Sequence, residues 1–149
     1  MDGLKQYDRS INTVNELIRL RPNAHDLFIR KGSILELIGD TTLANLIFGK
    51  SLKICNSVLD TMHETNRDYV MLVTNKAINL ILLGDSSLAN KILKVLYDKQ
   101  PDDPAFDNVE KKYIASLMNK NQVQLMDSFS KPDTTESYSY PEKAVYMTV

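Results

Sequence analysis

The chain of 149 residues has one cysteine, Cys55, and two histidines, His25 and His63. A lone thiol excludes an internal disulfide and any zinc site built on cysteines. The histidines stand in no metal-ligand spacing with each other or with Cys55. An excess of charge is missing too: 18 basic and 19 acidic side chains leave a net charge of −1. Nucleic-acid binding calls for a basic stripe that neutralises phosphates, and none is visible. No apolar run reaches the roughly 18 residues of a membrane span. The opening MDGLKQYDRS is too polar for a signal peptide. These absences point to a reducing space such as the cytoplasm, with a trimmed exported protein as the alternative. They also leave no catalytic constellation, so the expectation is a chain that is no enzyme and holds no cofactor.

Glycine and proline are scarce, five of each. Between them apolar residues recur at helical spacing, and strict alternation is nearly absent before residue 137. Seven helices follow: about Leu4 to Leu20, Ala24 to Ile38, Thr41 to His63, Asp68 to Leu83, Ser86 to Lys99, Ala105 to Asn119 and Gln122 to Ser130. Gly39 and Gly84 stop two of them, and Asp40 or Thr41, then Asp85 or Ser86, cap the next. Cys55 falls on an apolar stripe and is expected buried and inert. His25, near a helix start, is expected exposed, and His63 is expected at the end of the long third helix. The pair Asp102–Asp103 reads as a solvated turn. Residues 131–149 carry two prolines and many Ser, Thr and Tyr. They read as a disordered tail with a strand-capable end at Ala144–Val149.

The phrase GDTTLAN at 39–45 returns as GDSSLAN at 84–90, and the likeness extends to KGSILELIGDTTLAN at 31–45 against KAINLILLGDSSLAN at 76–90. A helical hairpin cannot bury its apolar face alone, so hairpins that recur are hairpins that stack. In one copy Phe28, Gly32 and Leu35 precede the turn, and Ala44 and Phe48 follow it. In the other the positions are Val73, Ala77, Leu80, Ala89 and Leu93, closing with Pro101. This pattern resembles the tetratricopeptide repeat, W-x2-L-G-x2-Y, then A-x3-F, then P, over about 34 residues. Ser10, Val14 and Pro22 fit the second half of a preceding repeat. Lys31 and Lys76 replace a leucine, and their stems can lie along apolar surface. Asn56 replaces the closing proline of the first copy, where an insertion of about eleven residues lengthens the spacing.

The resemblance implies an all-α fold in which antiparallel helix–turn–helix repeats stack as a short right-handed solenoid of about seven helices. Residues 1–130 would form it, with a half repeat at 4–22, repeats at 25–58 and 70–103, and a divergent cap at 104–130. It also implies protein binding, with first helices lining a concave groove for a peptide or helix. That side would carry Asp26, Ile29, Ser33, Glu36 and Leu37, then Met71, Thr74, Asn75, Ile78, Ile81 and Leu82. The second group is very apolar for a wet surface. Three uses stay open for it: an apolar or amphipathic protein partner, packing on the C-terminal helices or tail, and self-association into a homo-oligomer. A lysine–arginine–asparagine clamp for an acidic chaperone C-terminus is disfavoured, because Ile29, Thr74 and Ile78 stand in the groove and only Asn75 matches. The implied role is a scaffold or adaptor. A small cargo chaperone of the secretion type, or an accessory segment of a larger enzyme or exported protein, is the alternative. Leu93→Ala is expected to lower stability by about 2–5 kcal/mol through cavity formation, as measured by urea denaturation.

Overall fold

The computed structural model describes residues 2–130, with side-chain surroundings over residues 6–129. The expected tail and its strand-capable end lie outside the described residues. Among these residues the chain is all-helical: α1 (Asp2–Leu20), α2 (His25–Leu37), α3 (Thr41–Leu59), α4 (Tyr69–Leu82), α5 (Ser86–Lys99), α6 (Val109–Leu117) and α7 (Gln122–Ser130), with a 3-10 turn at Pro104–Phe106. Each helix from α1 to α5 packs on the next in sequence. α4 additionally meets α2 and α7. No helix among the described residues is long and apolar enough to cross a membrane.

The duplicated phrase forms the same turn twice. Gly39 and Gly84 both sit at φ +93°, a left-handed conformation that a side chain would strain. Gly39 N–H donates to Glu36 O (3.1 Å) and Asp40 N–H to Leu35 O (2.9 Å). In the second copy Gly84 N–H donates to Ile81 O (3.0 Å) and Asp85 N–H to Leu80 O (2.8 Å). These paired bonds satisfy carbonyls that the helix end leaves free. The same aspartates then cap the following helices: Leu43 N–H donates to Asp40 Oδ1 (3.3 Å) and Leu88 N–H to Asp85 Oδ1 (3.2 Å). Asp40 and Asp85, rather than Thr41 and Ser86, are therefore the N-caps.

Two boundaries differ from the sequence reading. α3 stops at Leu59, so His63 lies beyond it in the loop, where its Nδ1 accepts from Thr65 N–H (3.2 Å). The expected sixth helix is split. Asp107 and Asn108 take φ of 58° and 51°, which ends the 3-10 turn and lets α6 begin only at Val109. Asparagine and aspartate tolerate that conformation better than other side-chain residues, so this break was legible only as a weak propensity.

One contiguous cluster of buried apolar side chains runs from Ile29 and Phe48 through α4 to Leu125 and Met126, and a smaller one joins Val14, Ala24 and Leu27. The two copies pack their hairpins differently. A Cβ added at Gly32 would overlap the Phe48 ring. In the second copy Ala77 and Leu93 hold the equivalent positions, both fully buried. A flat, wide ring demands glycine opposite, whereas leucine leaves room for a methyl group. Gly32→Ala is therefore expected to cost about 1–3 kcal/mol. The double change Gly32→Ala, Phe48→Leu, which copies the second hairpin, should lose clearly less than the two single losses combined. Chemical denaturation of all four proteins reads this coupling, and strictly additive losses would refute the ring-for-glycine explanation.

Candidate functional site

α2 and α4 carry the residues expected to form a groove, and most of them are buried. On α2, Asp26, Ile29 and Ser33 are buried, and Ser33 Oγ donates to Ile29 O (2.8 Å). Glu36 is half-buried and its Oε1 accepts from Thr41 Oγ (3.3 Å). Leu37 is 39% exposed. On α4, Met71 is half-buried, whereas Thr74, Asn75, Ile78, Ile81 and Leu82 are buried. Thr74 Oγ donates to Met71 O (2.8 Å).

The apolar stripe of α4 thus does not face water. α7 packs against α4, and Ile78, Ile81 and Leu82 share one buried cluster with Leu125 and Met126 of α7 and with Ile114 and Leu117 of α6. The physical cause is that α4 is apolar around nearly its whole circumference. Such a helix is stable only when neighbours cover every side. Lys76, its one charged residue, is half-buried, as is Lys31 on α2.

A polar network crosses this apolar interior, and it corrects the expectation for His25. That residue is only 8% exposed. Asn75 Nδ2 lies 3.1 Å from His25 Nδ1. An amide nitrogen can only donate, so Nδ1 accepts and the ring is neutral with its proton on Nε2. The His25 carbonyl accepts from Ser51 Oγ (2.8 Å), and Ser51 Oγ accepts from Asn79 Nδ2 (2.8 Å). Asn79 Nδ2 also lies 3.9 Å from Cys55 Sγ. Helices α2, α3 and α4 are joined at this point. The available sequence signal was the pair Asn75 and Asn79 on an otherwise apolar helix. Buried amides need partners, and His25 and Ser51 are the ones within reach.

The network gathers histidine, serine and cysteine without arming a nucleophile. Ser51 spends its proton on a backbone carbonyl, and the His25 ring is bonded to Asn75 instead of to a hydroxyl or thiol. Burial pushes the Cys55 thiol up to about 12, so it carries no thiolate at neutral pH. Burial also lowers the His25 pKa from its ordinary 6.5; Asp26 opposes this and Arg21 adds to it. A separate cleft of about 360 Å³ lies where α5 meets α6, lined by Gln100, Pro101, Asp103, Phe106 and Lys111 among others. Lys111 is held there by Asp102 at 3.0 Å and stands over the Tyr97 ring. Among the described residues, no group of three or more His, Cys, Asp and Glu side chains is placed to hold a metal ion.

No protein-family model matches this chain, and no curated protein or solved structure matches it.

The buried neutral imidazole has a consequence for acid stability. With a folded pKa below the unfolded one, the unfolded chain takes up a proton that the folded chain refuses. Stability contributed by His25 is complete above the unfolded pKa and declines as pH falls through it toward the folded pKa. Thermal unfolding at about pH 7.5 and about pH 5 should show a larger loss in the native chain than in a His25→Gln variant. Equal losses would mean that His25 titrates alike in both states.

Proposed function

We propose that the chain is a non-enzymatic interaction module of tetratricopeptide-like build, its hairpins stacked as a short right-handed solenoid. It acts as a scaffold or adaptor for an apolar or amphipathic segment of another protein, taken up along the α2–α4 side. The single observation that carries this reading is the duplicated hairpin. Two turns 45 positions apart share the same glycine φ, the same paired backbone bonds and the same aspartate cap. Repeated hairpins build extended surfaces, and such surfaces serve recognition. The inert environments of Cys55, Ser51 and His25 support the non-enzymatic half of the reading.

Ile78 and Leu82 are too deeply buried to serve as surface probes. Leu37 and Met71 are the accessible apolar positions of the same side. The immobilised native chain is expected to capture a specific protein from lysate of its source cells. A Leu37→Glu, Met71→Glu variant with unchanged helicity should lose that capture at least tenfold, an effect of roughly 1.4 kcal/mol. Identical capture by both proteins would refute binding along this side.

A further inference from the structure

α7 is fastened to the molecule in a way that sets it apart. Of its described side chains only Leu125 and Met126 are buried, while Val123 is 75% and Phe129 42% exposed. Its N-terminus is finished locally. Gln124 N–H donates to Asn121 Oδ1 (2.9 Å), and Asn121 N–H donates to Gln124 Oε1 (2.9 Å). This reciprocal pair is a capping box, which satisfies two free N–H groups of the helix start with its own residues. The turn before it is anchored elsewhere. Asn119, at φ 64°, donates its N–H to Asn90 Oδ1 (2.7 Å), and Asn90 Nδ2 donates to Asn119 Oδ1 (3.3 Å). The turn is therefore tied to α5, whereas the helix beyond it packs on α4, with Leu125 and Met126 in one buried cluster with Ile78, Ile81 and Leu82 of α4 and Ile114 and Leu117 of α6. α4 is the opposite kind of element, an apolar helix that requires a cover on this side.

We propose that α7 is an internal ligand. The face of α4 that it covers is a binding site for one short amphipathic helix presenting two large adjacent apolar side chains. α7 fills the site until a partner helix of the same chemistry exchanges for it. The inference rests on the reading of the chain as an interaction module and specifies how its site is regulated. A tethered occupant has a high effective concentration, so it screens out weak competitors. A partner's apparent affinity is reduced by the fraction of molecules in which α7 is displaced. Exchange leaves the hinge in place, because the Asn90–Asn119 bonds lie outside the covered face.

The test uses the full chain and a fluorescein-labelled peptide of residues 120–130. A Leu125→Asp, Met126→Asp variant removes the two anchoring side chains from the tethered helix. Fluorescence anisotropy should show the peptide binding to this variant at least about tenfold more tightly than to the native chain, whose site is filled. Equal binding to both, or no binding to a variant that keeps its helicity, overturns the proposal. Should the variant lose its helicity, hydrogen exchange on the native chain decides. Saturating unlabelled peptide should speed exchange of α7 amides several-fold and leave α4 protected. Unchanged α7 exchange overturns the proposal. No outside partner enters either experiment. A negative result therefore removes the internal ligand and leaves lysate capture through Leu37 and Met71 standing.

Discussion

Ten of the fourteen residues of α4 are buried, so its polar side chains must find partners on neighbouring helices, and where one does not, as at Asn79 Oδ1, the atom is buried unpaired. That constraint organises the molecule. Its apolar residues demand cover from α2, α3, α5 and α7, the four helices that meet it. Its two buried asparagines demand partners, because a stranded buried amide costs about 1–3 kcal/mol. Asn79 reaches Ser51 and Asn75 reaches His25, which fixes where α2 and α3 must lie relative to α4. Apolar burial supplies the attraction, and the amides select the position along it.

The local part of this architecture was legible in the sequence. Gly39–Asp40 and Gly84–Asp85 announce a helix stop and a helix start in two residues, because the physics of both lies within a few positions of the chain. The stripe Ala44, Phe48, Ser51, Cys55, Val58 and Met62 likewise placed the inner side of α3 as far as Cys55, its first four members being buried, whereas Val58 is exposed and Met62 lies beyond the helix. What escaped was long-range. His25 looks like a solvent residue at a helix start until Asn75, fifty positions on, is brought beside it. The apolar side of α4 was visible, and packing on the C-terminal helices was one of three covers left open for it, but the residues that provide it were not. Leu125 and Met126 in a short polar segment give no hint of their destination.

The two hairpins show how one plan diverges under packing. Gly32 with Phe48 and Ala77 with Leu93 are two ways of filling the same position in the hairpin, the first trading backbone stiffness for a larger ring. Within the shared phrase, Asn45 is exposed, whereas its counterpart Asn90 holds the turn at Asn119. The cap at each turn leaves no slack residue between helices. The extra length of the first copy accordingly appears in its second helix, where α3 has 19 residues against 14 in α5, and in the segment between α3 and α4.

The return of α7 to α4 also has a kinetic side. Most helix contacts in this fold join sequence neighbours, an arrangement that closes small loops and favours rapid formation. The α4–α7 contact must span α5 and α6, as the α2–α4 contact spans α3, so both carry a larger loop-closure entropy, and α7 is the later of the two to be made. During synthesis the chain therefore passes through an interval in which the first six helices exist and Ile81 and Leu82 lack their cover. A nascent chain at that stage presents a sticky surface to its surroundings. The contact that covers α4 in the finished protein thus makes the last nine residues of the described fold a safeguard against aggregation at birth.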